Sequence, residues 1–263
     1  MRTAGNLLSL SLSLVLFAVS PLLAQASANG AGAAFAARTL AVLDPGGVPL
    51  TSIRLTGTAT RTAGSDTATG SVTLEASGDG ASRVELDLES GRRLEAHRRA
   101  AGAPRAEDEA GGQVRKRAAG DSWAPAAWFL PQFALAAVGS DGLVASAAAP
   151  AHLRLSRQVK SATKGMAAEI AQLSQADLYL DPATSLPLRL DFDRHPTGTV
   201  QFAEPVEIRY SGWREYAGIE VPAHVERWVN GVRRLAIDIT GAEVNPGISA
   251  DRFDLGSGLG GAQ

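Results

Sequence analysis

The chain has 263 residues, with 25 basic and 27 acidic side chains and a formal net charge of −2. Nucleic-acid binding begins with a basic surface, so this balance gives no reason to expect a nucleic-acid partner. The absence of cysteine excludes disulfides, iron–sulfur clusters and thiolate zinc sites. The length suits one β-rich domain, since such domains often have about 200–250 residues.

The first 26 residues have the pattern of a secretory signal peptide. Arg2 supplies a short positive region, Leu7–Leu23 is an apolar run, and Ala24-Gln25-Ala26 is a small-x-small cleavage site. We predict cleavage before Ser27, and an uncleaved membrane anchor is the alternative. An N-terminal lipid anchor requires a cysteine after the cut. We therefore expect a periplasmic or secreted protein with neither a lipid anchor nor a transmembrane segment.

The next part of the chain predicts a flexible leader, a short helix and a run of strands. Ser27–Ala34 is small and flexible, Phe35–Leu43 suits a short helix, and Asp44-Pro45-Gly46-Gly47 ends that helix. Segments of alternating polarity, separated by turn residues, then predict four strands: Thr51–Arg61, Ser71–Ala76, Arg83–Leu88 and Arg92–Arg98. Their even spacing is typical of an antiparallel meander.

The middle of the chain interrupts this pattern. Ala100–Gly112 is small, charged and unpatterned, which favours an exposed loop, and Gln113–Arg117 suits a short strand. Turn residues then lead into predicted strands at Leu143–Ser146 and His152–Val159.

Ser122–Val138 is unusually aromatic for this chain. It holds Trp123, Trp128, Phe129 and Phe133, which are two of the four tryptophans and two of the seven phenylalanines. Its two prolines predict one or two short helices. We interpret the segment as a cover over the open face of a sheet, and a helix packed into the core with nothing bound is the alternative.

The last third contains the clearest turn signals. Asp181-Pro182 ends one strand, because an Asp side chain can bond to the backbone two residues on. Asn230-Gly231 favours a type I′ turn, since both central residues need φ > 0. That turn predicts a hairpin of Ala223–Val229 against Val232–Ile239, with Trp228 opposite Arg233 and within reach of a cation–π contact.

Two further strands are predicted between these turns. Leu188, Leu190 and Phe192 alternate after Leu186-Pro187, and we expect them to share a face. Val206, Ile208 and Tyr210 are expected to share a face of the following strand, with Glu207 and Arg209 on the other.

No motif in the chain predicts catalysis. The run Gly256–Gly261 matches G-x-G-x-x-G by letter, but no helix can follow it in the two remaining residues. The chain has no nucleophile elbow, Walker loop or H-E-x-x-H. His224 and Glu226 share a strand face, and Asp191, Asp193 and His195 also alternate, but polar strand surface explains both sets. We expect no catalytic residue, no metal and no cofactor.

Three stretches of the last third resemble a known family. They are the turn Leu180–Pro187, the segment Tyr210–Arg214 with Gly218–Pro222, and the ending Val244–Phe253. The first is similar to a hydrophobic-Asp-Pro-x-[ST]-x-Leu-Pro pattern and the last to N-P-x-[IL]-x-x-x-x-F. These patterns resemble the LolA/LppX-like family of periplasmic lipoprotein carriers and related lipid-binding envelope proteins, including its uncharacterised secreted branch.

The resemblance implies a fold that is mainly β (α+β). We expect a curved antiparallel sheet of about ten or eleven strands, forming an incomplete barrel with short helices over its concave face. The domain would span Ser27–Leu255, and Gly256–Gln263 would be a flexible tail. Ala167–Leu180 is rich enough in alanine for a helix, but the resemblance favours a loop followed by a strand from about Leu173.

The resemblance also implies a monomeric, non-catalytic binding protein whose apolar cavity holds the acyl chains of lipids or lipoproteins. The candidate cavity and cover residues are Trp123, Trp128, Phe129, Phe133, Leu188, Leu190, Val206, Ile208, Leu235 and Ile237. No residue is matched to the family's lipid-gating arginine. Aromatic residues make up only 5% of the chain, which predicts a small or filled cavity.

Two other functions stay open. One is an envelope module with a packed core and a protein partner, and the other is a hydrolase using scattered carboxylates and histidines. A binding protein predicts a contiguous dry cavity of a few hundred Å³, a packed module predicts none, and an enzyme predicts titratable groups converging in a cleft.

Overall fold

The computed structural model describes residues 21–100, 103–140, 142–159 and 163–255. Most of the predicted signal peptide and the predicted tail Gly256–Gln263 lie outside these residues. The α-helices of the described part are α1 (Pro21–Leu43), α2 (Gln132–Ala136) and α3 (Lys164–Leu173), and two 3₁₀ helices occur at Asp121–Trp123 and Ala250–Phe253. None of the helices in the described part is long and apolar enough to cross a membrane.

Fifteen strands occur in the described residues, and all their pairings are antiparallel. They are β1 (Ser52–Ala63), β2 (Asp66–Ser77), β3 (Ser82–Leu88), β4 (Gly91–Ala100), β5 (Ala103–Ala110), β6 (Gln113–Lys116), β7 (Leu143–Ala149), β8 (His152–Arg157), β9 (Ala176–Leu180), β10 (Pro187–Arg194), β11 (Glu204–Ser211), β12 (Arg214–Tyr216), β13 (Ile219–Val221), β14 (His224–Val229) and β15 (Val232–Val244).

Thirteen of these strands form one sheet in the order β6-β5-β4-β3-β2-β1-β15-β14-β11-β10-β9-β8-β7, and β12 pairs only with β13. The edge strands β6 and β7 do not pair with each other in the described part, so the sheet is not closed into a barrel. The long β1 pairs with β15, which joins the N-terminal meander to the C-terminal hairpins.

Alternating side chains place the main core on one face of this sheet, which we call the inner face. Ile53 and Leu55 of β1 are buried, and Arg54 between them points away from this core. The pattern repeats in β11, where Val206, Ile208 and Tyr210 are buried, as predicted. Buried residues of α1 and α2 belong to the same apolar cluster, so these helices lie against the inner face.

The C-terminal segment covers part of the opposite face. Phe253 is buried, and Leu255 packs with Leu94 and Ala96 of β4 in a second, smaller cluster. Asn245 accepts hydrogen bonds from the backbone of Thr51 (2.8 Å) and of the next residue (3.2 Å), which ties the end of β15 to the start of β1. The terminal motif is therefore structural, because its Asn and Phe fasten the chain end to the sheet.

The predicted turns are confirmed. Asn230 and Gly231 have φ of 52° and 71°, as a type I′ turn requires. Asp181 accepts hydrogen bonds from the backbone N–H groups of the second and third residues after it, at 2.8 and 2.9 Å. Trp228 lies opposite Arg233, but the guanidinium over its ring is that of Arg209, 4.3 Å from the ring centroid. Arg233 instead donates to Glu226.

The structure corrects three element predictions. Ala103–Ala110 is strand β5 rather than an exposed loop, because its backbone pairs with both β4 and β6. Lys164–Leu173 is helix α3, whose N-cap Thr163 accepts from the backbone N–H of Met166. The predicted leader Ser27–Ala34 lies within α1, so the predicted cleavage point falls inside that helix. With β5 and the short β12 and β13, the described residues form fifteen strands, more than the predicted ten or eleven.

Candidate ligand-binding site

The aromatic segment lies over the inner face of the sheet, and we call residues 121–138 the cover segment. It begins with a 3₁₀ helix, Asp121–Trp123, and ends with α2. Pro125 follows the first helix and Pro131 immediately precedes α2, so the prolines separate two short helices, as predicted.

Polar contacts fasten the cover segment to the sheet. The indole N–H of Trp128 donates to Glu95 Oε1 at 3.1 Å, and the hydroxyl of Tyr210 donates to the Trp128 carbonyl. On the other side of the segment, the Ser82 hydroxyl donates to the carbonyl of Ala126 at 2.7 Å. Trp128 is 2% exposed, so this residue is the buried anchor of the cover segment.

A cavity of about 120 Å³ lies between the cover segment and the inner face of the sheet. The large apolar residues that line it come from both sides and are Trp123, Phe133, Leu143, Leu155, Leu178 and Leu190. Arg98 and Arg105 also line it, together with His97, so one part of the wall is polar. An apolar chamber with a few polar groups is the usual form of a small-molecule site.

The predicted site residues fall into three groups. Three of them line the cavity: Trp123, Phe133 and Leu190. Six are buried in the core and do not line it: Trp128, Phe129, Val206, Ile208, Leu235 and Ile237. The last one, Leu188, lies on the opposite face of the sheet.

The position of Leu188 corrects the prediction that it shares a face with Leu190 and Phe192. Leu188 is 45% exposed, whereas Leu190 and Phe192 are buried. The pairing of β10 with β9 shifts between Pro187 and Arg189, and such a bulge inserts one unpaired residue. Because side chains alternate along a strand, one extra residue moves Leu188 to the other face.

A buried charged cluster lies beside the anchor Trp128, and the sequence patterns do not predict it. Glu95 lies 2.9 Å from Arg227 and 3.0 Å from Arg117, and its Oε1 is 3.4 Å from His97 Nε2. Arg117 also bonds to Asp108 at 2.7 Å. These residues come from β4, β5, β14 and the segment after β6, so the cluster joins distant parts of the sheet.

The ion pairs decide the charge of Glu95. Its burial alone would raise the pKa of the carboxyl, but the nearby Arg117 and Arg227 hold that pKa well below its usual range. Glu95 is therefore ionised at neutral pH, and the Arg227 guanidinium also lies 5.0 Å from the centroid of the Trp128 ring. The cluster thus holds the cover segment through charged hydrogen bonds and a cation–π contact.

The sequence offers little signal for this cluster. In β4, Arg93, Glu95 and His97 take the inner face, and Leu94 and Ala96 take the other. That alternation is the reverse of the usual assignment, which places apolar residues inside and charged residues outside. Only the partners supplied by other strands reveal that this face is the buried one.

The described residues contain no group of three or more histidine, aspartate or glutamate side chains placed to hold a metal ion. His224 bonds to Asp238 at 2.7 Å and lies 3.7 Å from Glu226 on the partly exposed strand surface. The buried His195 contacts the carbonyl of Thr199 at 3.1 Å. These contacts place each of the two histidines in a local polar network.

Comparison with solved structures finds a similar fold in proteins from other bacteria. A putative outer membrane lipoprotein-sorting protein domain from Vibrio parahaemolyticus matches with a TM-score of 0.51 and 9% identity, over 86% of this chain and 97% of that one. A DUF1329 family protein from Desulfovibrio piger matches with a TM-score of 0.52 and 14% identity, over 88% of this chain and 98% of that one. At these identities the likeness shows the fold.

A LolA superfamily protein from Nitrosomonas europaea is also similar, with a TM-score of 0.48 and 12% identity, over 83% of this chain and 97% of that chain. No protein-family model matches the sequence, and no curated protein matches it either. At the level of the fold, the predicted resemblance is confirmed by the match to a lipoprotein-sorting protein domain.

Proposed function

We propose that this protein is a non-catalytic carrier or sensor of the bacterial envelope that holds acyl chains of a lipid or lipoprotein under the cover segment. The observation that carries the proposal is the apolar cavity between residues 121–138 and the inner face of an open antiparallel sheet. In this proposal the sheet is an incomplete barrel, and the cover segment lies over its concave face.

The mode of binding follows from the size of the cavity. Ligand pockets usually enclose about 300–1,000 Å³, so a chamber of about 120 Å³ must enlarge before it takes a whole acyl chain. Trp128 is fastened by Glu95 and Tyr210, whereas Trp123 on one side of it is half-buried. The segment would open around this anchor, and burial of the chain would contribute about 0.8 kcal/mol per CH₂.

The other parts of the proposal concern location and assembly. Removal of residues 1–26 would release a periplasmic or secreted monomer that spans Ser27–Leu255 and the short tail Gly256–Gln263. Its chain has no cysteine for a lipid anchor. The fold likeness to a lipoprotein-sorting domain and the predicted signal peptide support this location.

The first test is native mass spectrometry with lipid extraction on protein purified from the periplasm, together with titration of a fluorescent fatty acid. We expect a co-purifying lipid and saturable uptake of the fatty acid. Ala134 lies on α2 and lines the cavity, so Ala134→Phe should fill it and weaken fatty-acid binding by about tenfold or more.

Ala136→Phe is the matched control, because Ala136 lies on the same helix but is exposed and does not line the cavity. This variant should bind the fatty acid like the unmodified protein. Equal binding by both variants would show that the ligand occupies another place. No lipid and no uptake would reject the carrier function.

The small cavity favours a second candidate, an envelope module with no ligand. Six of the ten predicted site residues are packed in the core, and the cover segment has polar contacts to several strands. A packed module predicts that Ala134→Phe destabilises the fold without changing any ligand binding. Co-purification of a protein partner in place of a lipid would support this alternative.

A further inference from the structure

A second chamber, of about 230 Å³, has Glu95 in its wall, whereas His97, two residues further along β4, lines the apolar cavity. The wall of this chamber is unusually rich in arginine, and we call the chamber the arginine pocket. The arginines that line it are Arg61, Arg93, Arg117, Arg194 and Arg227.

Three of these arginines are neutralised by carboxylates. Arg117 and Arg227 share Glu95, and Arg117 also pairs with Asp108. Arg194 pairs with Asp121 of the cover segment at 3.2 Å. These guanidinium groups therefore form the walls of the pocket and hold its shape.

The other two arginines have no such partner. In the part of the chain that the structure describes, no carboxylate lies within 4 Å of the guanidinium group of Arg61 in β1 or of Arg93 in β4. The Nε atoms of Arg93 and Arg227 are buried without a hydrogen-bond partner there. The remaining acid of the wall, Glu109, accepts the backbone N–H of Gly112 on its own hairpin.

Several positively charged side chains lie close to one another in the arginine pocket. Burial lowers the pKa of Arg61, and the neighbouring cations Arg93, Arg227 and Arg234 lower it further. Arginine stays protonated nonetheless, so the repulsion remains as a cost in the unliganded protein. An anion between these groups would remove that cost and supply the missing acceptors.

We propose that the arginine pocket binds a phosphate-type anion, with Arg61 and Arg93 as its main ligands and Arg227 as a third cation in the wall. Guanidinium groups bind phosphate oxygens through two parallel N–H donors, and three such groups suit an anion with three free oxygens. Both Arg61 and Arg93 are only half-buried, so an anion can reach them from solvent.

The anion has two sources with the same chemistry, an inorganic phosphate or the phosphate head group of a lipid. His97 lines the apolar cavity and lies 3.4 Å from Glu95, which lines the arginine pocket. The two chambers are therefore neighbours. Anion binding does not depend on the acyl-chain function, because the pocket is complete without the cavity.

The test is isothermal titration calorimetry of the full mature chain with inorganic phosphate and, separately, with dihexanoyl phosphatidic acid. We expect saturable binding of at least one of them. Arg61→Gln and Arg93→Gln should each weaken it by about tenfold or more, since each removes two charged hydrogen bonds. Arg61→Lys should recover part of the affinity, because it keeps the charge without the planar fork.

Arg214→Gln is the matched control, because Arg214 is exposed on the separate β12–β13 hairpin and the charge change is the same. It should bind the anion like the unmodified protein.

Tight binding of inorganic phosphate would identify a free anion as the ligand, and binding of the phosphatidic acid alone would identify a head group. Binding of neither, or equal weakening by all three glutamine variants, would overturn the proposal. Fatty-acid uptake in the same variants tests the acyl-chain function separately.

Discussion

The inner face of the sheet has two contrasting regions. Between the cover segment and strands β8 to β10 it is apolar, with Leu155, Leu178 and Leu190 around the cavity. Where β1, β4 and β14 form the same face, it is charged. It carries Arg61 of β1, the alternate residues Arg93 and Glu95 of β4, and Arg227 of β14. The anchor Trp128 lies where the two regions meet, since it contacts both Glu95 and Tyr210.

The difference shows that one face of a sheet can be buried in two ways. In the apolar region, removal of hydrocarbon from water stabilises the fold, and each side chain contributes separately. In the charged region, burial is unfavourable for each ion alone, and the arrangement is stable only while its members neutralise one another. The apolar region should therefore tolerate conservative substitution better than the charged one.

The largest effect is expected from Glu95→Gln. It leaves the buried Arg117 guanidinium and the half-buried Arg227 without their shared carboxylate, and breaking a buried ion pair typically costs about 3–5 kcal/mol of unfolding free energy. Urea denaturation monitored by circular dichroism measures this loss. Glu169→Gln is the control on the exposed surface of α3 and should change the stability by no more than about 0.5 kcal/mol. Similar losses in both variants would mean that the charged region is not a cooperative unit.

In the apolar region, Leu190→Ala should lower the unfolding free energy by about 2–5 kcal/mol, because it deletes buried methyl groups beside the cavity. Leu188→Ala, two residues earlier on the same strand, should change it by no more than about 0.5 kcal/mol. Thermal or urea unfolding of the pair compares the two faces directly. Equal losses would contradict the bulge at Pro187–Arg189.

The contact between the regions is tested by Tyr210→Phe. Removing this hydroxyl leaves the buried carbonyl of Trp128 without its donor, which should cost about 1–3 kcal/mol. Tyr179→Phe makes the same chemical change on a half-buried ring that stacks on His152, and it should cost much less. Denaturant unfolding gives both values, and a loss at Tyr179 as large as at Tyr210 would contradict the anchoring role.

The smallest effect is the dependence of the charged region on pH. The folded pKa of Glu95 lies below its ordinary value of 4.5, so its stabilisation is fully present above that pH. The contribution is lost as the pH falls through the folded pKa, with a limiting slope of about 1.4 kcal/mol per pH unit.

The difference in unfolding free energy between the unmodified protein and Glu95→Gln should thus be constant at neutral pH and shrink below about pH 4.5. Carboxyls such as Glu85 and Asp177, whose pKa values are also lowered, are present in both proteins and cancel. Urea denaturation at a series of acidic pH values gives the curve. A difference that grows on acidification would contradict the ionised state of Glu95.

Local patterns predicted much of the fold. The hairpin at Asn230-Gly231 and the turn at Asp181 need only residues that are adjacent in sequence, so their conformations could be deduced from the turn chemistry. The buried faces of β3 and β11 followed from simple alternation. At the candidate site, the composition of the chain singled out the aromatic segment, and three of the predicted residues, Trp123, Phe133 and Leu190, line the cavity.

Features that depend on distant partners were missed. Strand β5 has no apolar alternation, and its Asp108 pairs with Arg117 while its backbone pairs with β4 and β6. Helix α3 has a local signal in its Thr163 cap and its alanines, but the family resemblance favours a loop and a strand there. The bulge that turns Leu188 outward is visible only in the pairing of β10 with β9.

The sequence by itself determined the β-rich class, the strands with a clear period of two, the tight turns and the aromatic cover segment. These depend on backbone preferences and on neighbours within a few residues. Only the tertiary structure decided which chamber the cover segment encloses, and that Arg61, Arg93, Glu95 and Arg227 meet on the buried face. A charged residue in an alternating strand has the same pattern whether it faces water or a partner, and the partner comes from a strand far away in sequence.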